Sequence, residues 1–249
     1  MKFKLISLVV IVYLGALVVF LPARMVTHWA PIPQSVHISG VTGTIWNGTV
    51  DTVQVQGRVV KNIAWEIFPL ALFTGKLATK VSVQSGQSNP FALNGYVNAS
   101  MSGVSVEELM VRGDLEKTVN WLDIPAAALV PVRGEYTLHI EEFNQGQPLC
   151  SALKGQGRAF DVTTRIGQSW ESVGDYQVTA QCDSGEVVLN MPEDNMLGIF
   201  FNLQLSNTGY TLNGHLKPTA QAPQVIRDAL RMVGNPNSQG QYIFSAESR

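Results

Sequence analysis

Past its first 35 residues the chain alternates apolar and polar side chains with a period of two. In "GEYTLHIEEF", Tyr136, Leu138 and Ile140 share one face, and Thr137, His139 and Glu141 share the other. In "FNLQLSN", Phe201, Leu203 and Leu205 oppose Asn202, Gln204 and Ser206. In "GYTLNGHLKP", Tyr210, Leu212 and Leu216 oppose Thr211, Asn213, His215 and Lys217. Each pattern predicts a strand with one apolar face and one wet face, as in an antiparallel sheet. A Gly-x-Tyr-x-apolar motif begins at Gly134, Gly174 and Gly240, and each copy reads as a strand entered from a glycine turn. Its spacing is unequal, which excludes a fixed-period solenoid.

Helical signals are few. "PQVIRDALRMVG" is the clearest: Pro223 sits near the first turn, Ile226, Ala229, Leu230 and Val233 form one stripe, and Gly234 follows as a stop. "LEKTVNWL" and "PLALF" predict a turn or two each. The fold class is therefore mainly β, with a curved, largely antiparallel sheet and a few short helices.

The N-terminus departs from this pattern. "LISLVVIVYLGALVVFL", residues 5–21, carries no charge and follows Lys2 and Lys4. As a helix rising about 1.5 Å per residue it reaches roughly 26 Å, near the hydrocarbon thickness of a bilayer. A cleaved signal peptide needs small residues at −1 and −3 of its cleavage site. Ala23 has Leu21 at that offset and Ala30 has His28, which favours an uncleaved anchor. The lysines place the short N-terminal side in the cytoplasm. The expected division is a cytoplasmic tip at 1–4, a transmembrane helix at 5–21, a connector at 22–35 and a periplasmic β-rich domain at 36–249.

That placement changes how the cysteines read. Cys150 and Cys182 are the whole complement, with no CxxC and no histidine cluster near them. Outside the cytoplasm an even, minimal count reads as one disulfide, with two buried thiols as the alternative.

Composition removes several functions. Of 249 residues only 14% are charged, the net charge is −2, and no basic run gives nucleic acid an electrostatic footprint. Gly40, Gly43 and Gly48 sit close together, but "TVDTVQVQGRVV" follows them, which is another strand. A phosphate-cradling loop needs a helix there, so these glycines read as turns and close approaches. His37, His139 and His215 fall on polar strand phases and His28 in the connector, so they read as solvated side chains, not metal ligands. The neighbouring carboxylates Glu107–Glu108 and Glu141–Glu142 point to opposite faces of a strand and make no acid–base pair. No catalytic residue, cofactor or metal is expected.

One stretch remains, "IAWEIFPLALFTGKLATKVSV". Trp65 and Phe68 precede Pro69, Leu70, Leu72 and Phe73 follow, and a strand resumes after Gly75. It reads first as a core plug at one end of the sheet, and alternatively as an apolar surface for a membrane or partner.

These pieces together resemble the type II secretion system protein N family of Gram-negative bacteria. The likeness rests on the N-terminal anchor, "SGVTGTIWNG" with Gly43, Trp46 and Gly48, the Trp65, Pro69, Leu70 and Gly75 corner, and "LRMVGNPNSQGQYIF" with Gly234, Gly240 and Tyr242. The resemblance implies a non-enzymatic accessory subunit of the inner membrane that contacts other secretion subunits and serves export of folded periplasmic proteins. The family is also distantly similar to AsmA-type proteins, which implies an alternative: a groove that binds or shuttles lipid. A periplasmic enzyme is a third, more distant reading.

Overall fold

The computed structural model describes residues 2–25, 33, 35–86, 89–123 and 130–248. The connector, expected at 22–35, lies largely outside them, as does His28.

One antiparallel sheet contains all thirteen strands, each hydrogen-bonded to its neighbours in sequence. They are β1 Val36–Gly43, β2 Asn47–Val55, β3 Arg58–Phe68, β4 Lys76–Val83, β5 Phe91–Ser100, β6 Gly103–Asp114, β7 Val132–Gln145, β8 Cys150–Ile166, β9 Ser169–Asp183, β10 Glu186–Met191, β11 Ile199–Leu205, β12 Tyr210–Leu216 and β13 Tyr242–Ser248. Among the described residues the sheet is open, with β1 and β13 as its edges. Consecutive pairing puts every odd-to-even turn at one end, here the near end, and every even-to-odd connection at the far end.

The predicted alternation becomes a continuous row across the sheet. Val50 pairs with Ile63, Ile63 with Val83, Val83 with Leu93, Leu93 with Val111, and Val111 with Leu138; Gly157 and Val178 continue it. Such cross-strand partners are the units of sheet stabilisation. Of this row only Val83 is fully buried and the rest are half-buried.

A compact core exists at the far end. Val162, Val173, Leu197, Ala222 and Ile226 pack together, with Leu115, Tyr176, Met196 and Leu230 against them. Ile226 and Leu230 come from α3, Gln224–Val233, the helix predicted from its stripe. The second short helix, α2, is Leu115–Leu122, the predicted "LEKTVNWL". Asp114 caps it by accepting a hydrogen bond from the Lys117 backbone N–H at 2.9 Å.

The repeated Gly-x-Tyr motif is not three strand entries. Only Gly240 precedes its strand. Gly134 and Gly174 lie inside β7 and β9, beside register shifts where β8 carries extra residues around Asp161. Gly134 has φ 145°, and a Cβ there would lie 2.7 Å from the Phe160 carbonyl oxygen. A bulge that crowds two backbones together selects glycine in the same way a turn does.

The N-terminal helix has other bounds than expected. The helix observed is α1, Lys2–Val19, and the chain turns at Phe20. Lys2 and Lys4 fall within it, so its uncharged run is residues 5–19, about 22 Å at ~1.5 Å per residue, short of the roughly 30 Å of a bilayer core. Among the described residues no helix is long and apolar enough to cross a membrane.

Candidate functional site

The residues singled out in the first third of the chain meet at the near end of the sheet. "GTIWNG" is the turn between β1 and β2. Thr44 closes it, its N–H donating to the Asn47 carbonyl at 2.9 Å and its hydroxyl accepting from the Asn47 N–H at 3.2 Å. The three glycines thus belong to a hairpin, with no helix N-terminus to face an anion.

This turn holds the end of α1. The last carbonyls of a helix have no intrahelical donor. Val18 is among them, and its oxygen accepts the Trp46 indole N–H at 2.9 Å. The Ile45 N–H donates to the Leu21 carbonyl at 3.0 Å, and Pro22 forms a single antiparallel bridge with Thr44. On its other side the turn is bound to β3. The Trp65 indole donates to the Ile45 carbonyl at 3.0 Å, and the Ile67 N–H donates to the Trp46 carbonyl at 2.6 Å. The Trp65 ring lies directly over Gly48, where a Cβ would come within 2.4 Å of Cζ2 and within 2.5 Å of the Thr42 oxygen. Gly43 is equally close, at 2.5 Å from the Asn47 oxygen. The motif's spacing therefore matches a clamp: two tryptophans hold one turn between a helix end and a strand.

Next along the same end is the Pro69 corner, a 3-10 helix over Pro69–Thr74. Proline suits its first turn, where an N–H would have no partner. Gly75 ends it at φ 73°, its N–H directed at the Ala71 and Leu72 carbonyls. The corner is no core plug. None of its residues is buried, Leu70 is 78% exposed and Phe73 89%. A 3-10 helix nearly eclipses positions i and i+3, so Leu70 and Phe73 project from the same side. Among the described residues no second layer covers the hairpin tip, and both side chains are exposed.

The remaining singled-out residues do not join this site. Gly234 follows α3 in extended backbone (φ 172°), and Gly240 and Tyr242 lead into β13 at the far end. Cys150 and Cys182 form a disulfide with a Cα–Cα distance of 6.1 Å, linking the start of β8 to β9. Cys150 is 1% exposed.

The polar residues pair locally. His139 contacts Glu108 at 3.1 Å; both it and His215 are half-buried, not fully solvated as expected. His215 stacks on Phe200 and has Glu193 at 3.5 Å, within ion-pair reach but outside hydrogen-bond geometry. Glu107 accepts from the Asn98 amide, and Glu142 from that of Asn144. Glu141 bonds Lys154 and raises its ammonium pKa. Burial pushes the Tyr176 phenol up to about 12, and its hydroxyl donates to the Val173 carbonyl at 2.9 Å. No group of three or more histidine, cysteine, aspartate or glutamate side chains converges among the described residues.

Two ties escaped sequence reasoning. The Trp121 indole of α2 donates to the Val59 carbonyl at 3.0 Å, and Arg58 reaches the Leu122 carbonyl at 2.7 Å. Asn89, 5% exposed, mimics a strand beside β3, accepting from the Lys61 N–H and donating to the Lys61 carbonyl. Helix propensity and the Asp114 cap reveal α2, but nothing local reveals its partner in β3.

Residues 34–245 match the family described as Type II secretion system (T2SS), protein N. The chain is 28% identical over 257 residues to the type II secretion system protein N of Aeromonas hydrophila, covering 100% of this chain and 98% of that protein. It is 24% identical over 244 residues to the protein of the same name in Vibrio cholerae serotype O1, covering 96% and 94%. No solved structure matches it.

Proposed function

Since the chain belongs to the type II secretion system protein N family, we propose that it is a non-enzymatic accessory component of that system, working through protein–protein contacts. The observation that carries this reading is the family match across 34–245. The open sheet supports it. β1 and β13 each leave a row of backbone groups without a sheet partner among the described residues, a ready surface for other subunits.

The protein is held at the inner membrane by residues 5–21, with its N-terminus cytoplasmic and its sheet periplasmic. Every described side chain of α1 is exposed, and Ile6, Val9, Val10, Val12, Leu17 and Val18 present apolar surface around the helix. A short apolar run is accommodated by local thinning of the bilayer. The Cys150–Cys182 disulfide suits an oxidising compartment.

The test is complementation. In a strain lacking the protein, the wild-type chain should restore export of a type II substrate. Restored envelope impermeability without any effect on export would favour the lipid-groove alternative, which the half-buried apolar row could serve. Loss of export from a single exposed histidine or carboxylate, at normal protein level, would oppose the non-enzymatic reading.

A further inference from the structure

We infer that the near-end hairpin tips beside α1 form a second membrane contact, with the Pro69–Thr74 corner and the β5–β6 turn resting on the lipid surface from which α1 emerges. This rests on the reading of α1 as the membrane attachment.

Continuity carries the inference. The Trp46 indole binds Val18 at the end of α1, and the Trp46 carbonyl binds Ile67, two residues before Pro69. Strands lie about 4.8 Å apart, so each successive near-end hairpin is displaced by roughly 10 Å, and the first three lie within about 20 Å of the helix end. The tips beside α1 are apolar: Leu70 and Phe73 at the corner, then Met101, 106% exposed, in the turn after β5. The tips farther along the same end expose no large apolar side chain: Gln147 and Pro148 with a half-buried Leu149 between β7 and β8, Ser184 and Gly185 between β9 and β10, and Ser206, Asn207 and Thr208 between β11 and β12. Apolarity thus falls with distance from α1.

Charge agrees. "FPLALFTGKL" and "SMSGV", the two tip segments, contain no carboxylate, and their single charge is Lys76, whose strand partner is Ser100. A cation flanking exposed leucine, phenylalanine and methionine suits an anionic lipid interface. Trp46 stands where α1 meets the sheet, the level at which tryptophan favours membrane interfaces.

Full-length protein in vesicles of phosphatidylethanolamine and phosphatidylglycerol tests this. A fluorophore is attached through V12C, F73C, M101C or T208C; the native cysteines are held in their disulfide. Quenching by lipid-borne nitroxide is compared with quenching by aqueous iodide. The expected result is strong nitroxide quenching with loss of iodide quenching at positions 12, 73 and 101, and the reverse at 208. Labels at 73 and 101 open to iodide, with 12 in lipid, would overturn the second contact while leaving α1 attached. A label at 12 open to iodide would overturn the attachment itself. Labels at 73 and 101 shielded from both quenchers would identify a protein cover and would also overturn the lipid contact.

Discussion

Trp46 donates its indole N–H to the carbonyl oxygen of Val18 at 2.9 Å, across 28 residues of chain. A helix end and a hairpin turn are thereby joined at one atom. The Trp46 backbone continues the link to β3 through Ile67.

Trp46→Phe should keep the ring and remove that bond. A hydrogen bond of this type contributes about 0.5–1.5 kcal/mol net. The expected outcome is faster amide exchange at Thr44 and Ile45, with a small change in unfolding of the sheet. Hydrogen exchange by mass spectrometry reads both.

Gly48→Ala should destabilise by roughly 1–3 kcal/mol, as overpacking does, because the methyl would meet the Trp65 ring and the Thr42 oxygen. Trp65→Ala should recover part of that loss in the double variant, since it removes the ring and leaves only the backbone clash. Urea unfolding of the two single variants and the double closes the cycle; strict additivity would contradict the packing.

Removing the disulfide with C150S and C182S should cost about 3–4 kcal/mol in the chain-entropy model for a loop of this length. Peptide mapping without reductant should recover the linked pair from protein taken from the cell. With Cys150 1% exposed, its alkylation in the folded protein should require denaturant as well as reductant.

Leu70→Asp separates contact from folding. Leu70 is 78% exposed, so the change should move stability by no more than about 0.5 kcal/mol. Export of a type II substrate should nonetheless fall at normal protein level. His139→Ala and Asp183→Asn should leave export nearly intact. His215→Ala is a poorer control, because it also strips a ring from Phe200.

Alkaline pH should weaken the far-end core through Tyr176. Its folded pKa is raised to about 12 by burial, against about 10 unfolded. The folded state holds the proton more tightly, so this contribution is complete below pH ~10 and is lost as pH rises through the folded value. Tyr176→Phe should show a shallower fall in urea midpoint over that range than wild type.

Much of the architecture was legible before any tertiary contact. Alternation around Leu138, Leu203 and Leu212 marks strands because successive side chains must leave a pleated backbone on opposite faces. The stripe of Ile226 and Leu230 marks α3 by the same geometric necessity at a period of 3.6. "GTIWNG" followed by more alternation reads as a turn between strands. What alternation cannot say is whether an apolar face is covered. Leu70 and Phe73 looked like a plug and proved to be an exposed tip, because burial depends on what the rest of the chain places above them. Gly134 and Gly174 looked like turns and proved to mark bulges, because the extra residues that demand them lie in β8. Trp46 stood out in its motif and Trp121 lay in a predicted helix, yet their acceptors, Val18 and Val59, lie 28 and 62 positions away. A period is a property of neighbours along the chain and is written in the sequence. A contact between distant backbone atoms exists only once the whole sheet has set their distance, and that the tertiary structure alone decided.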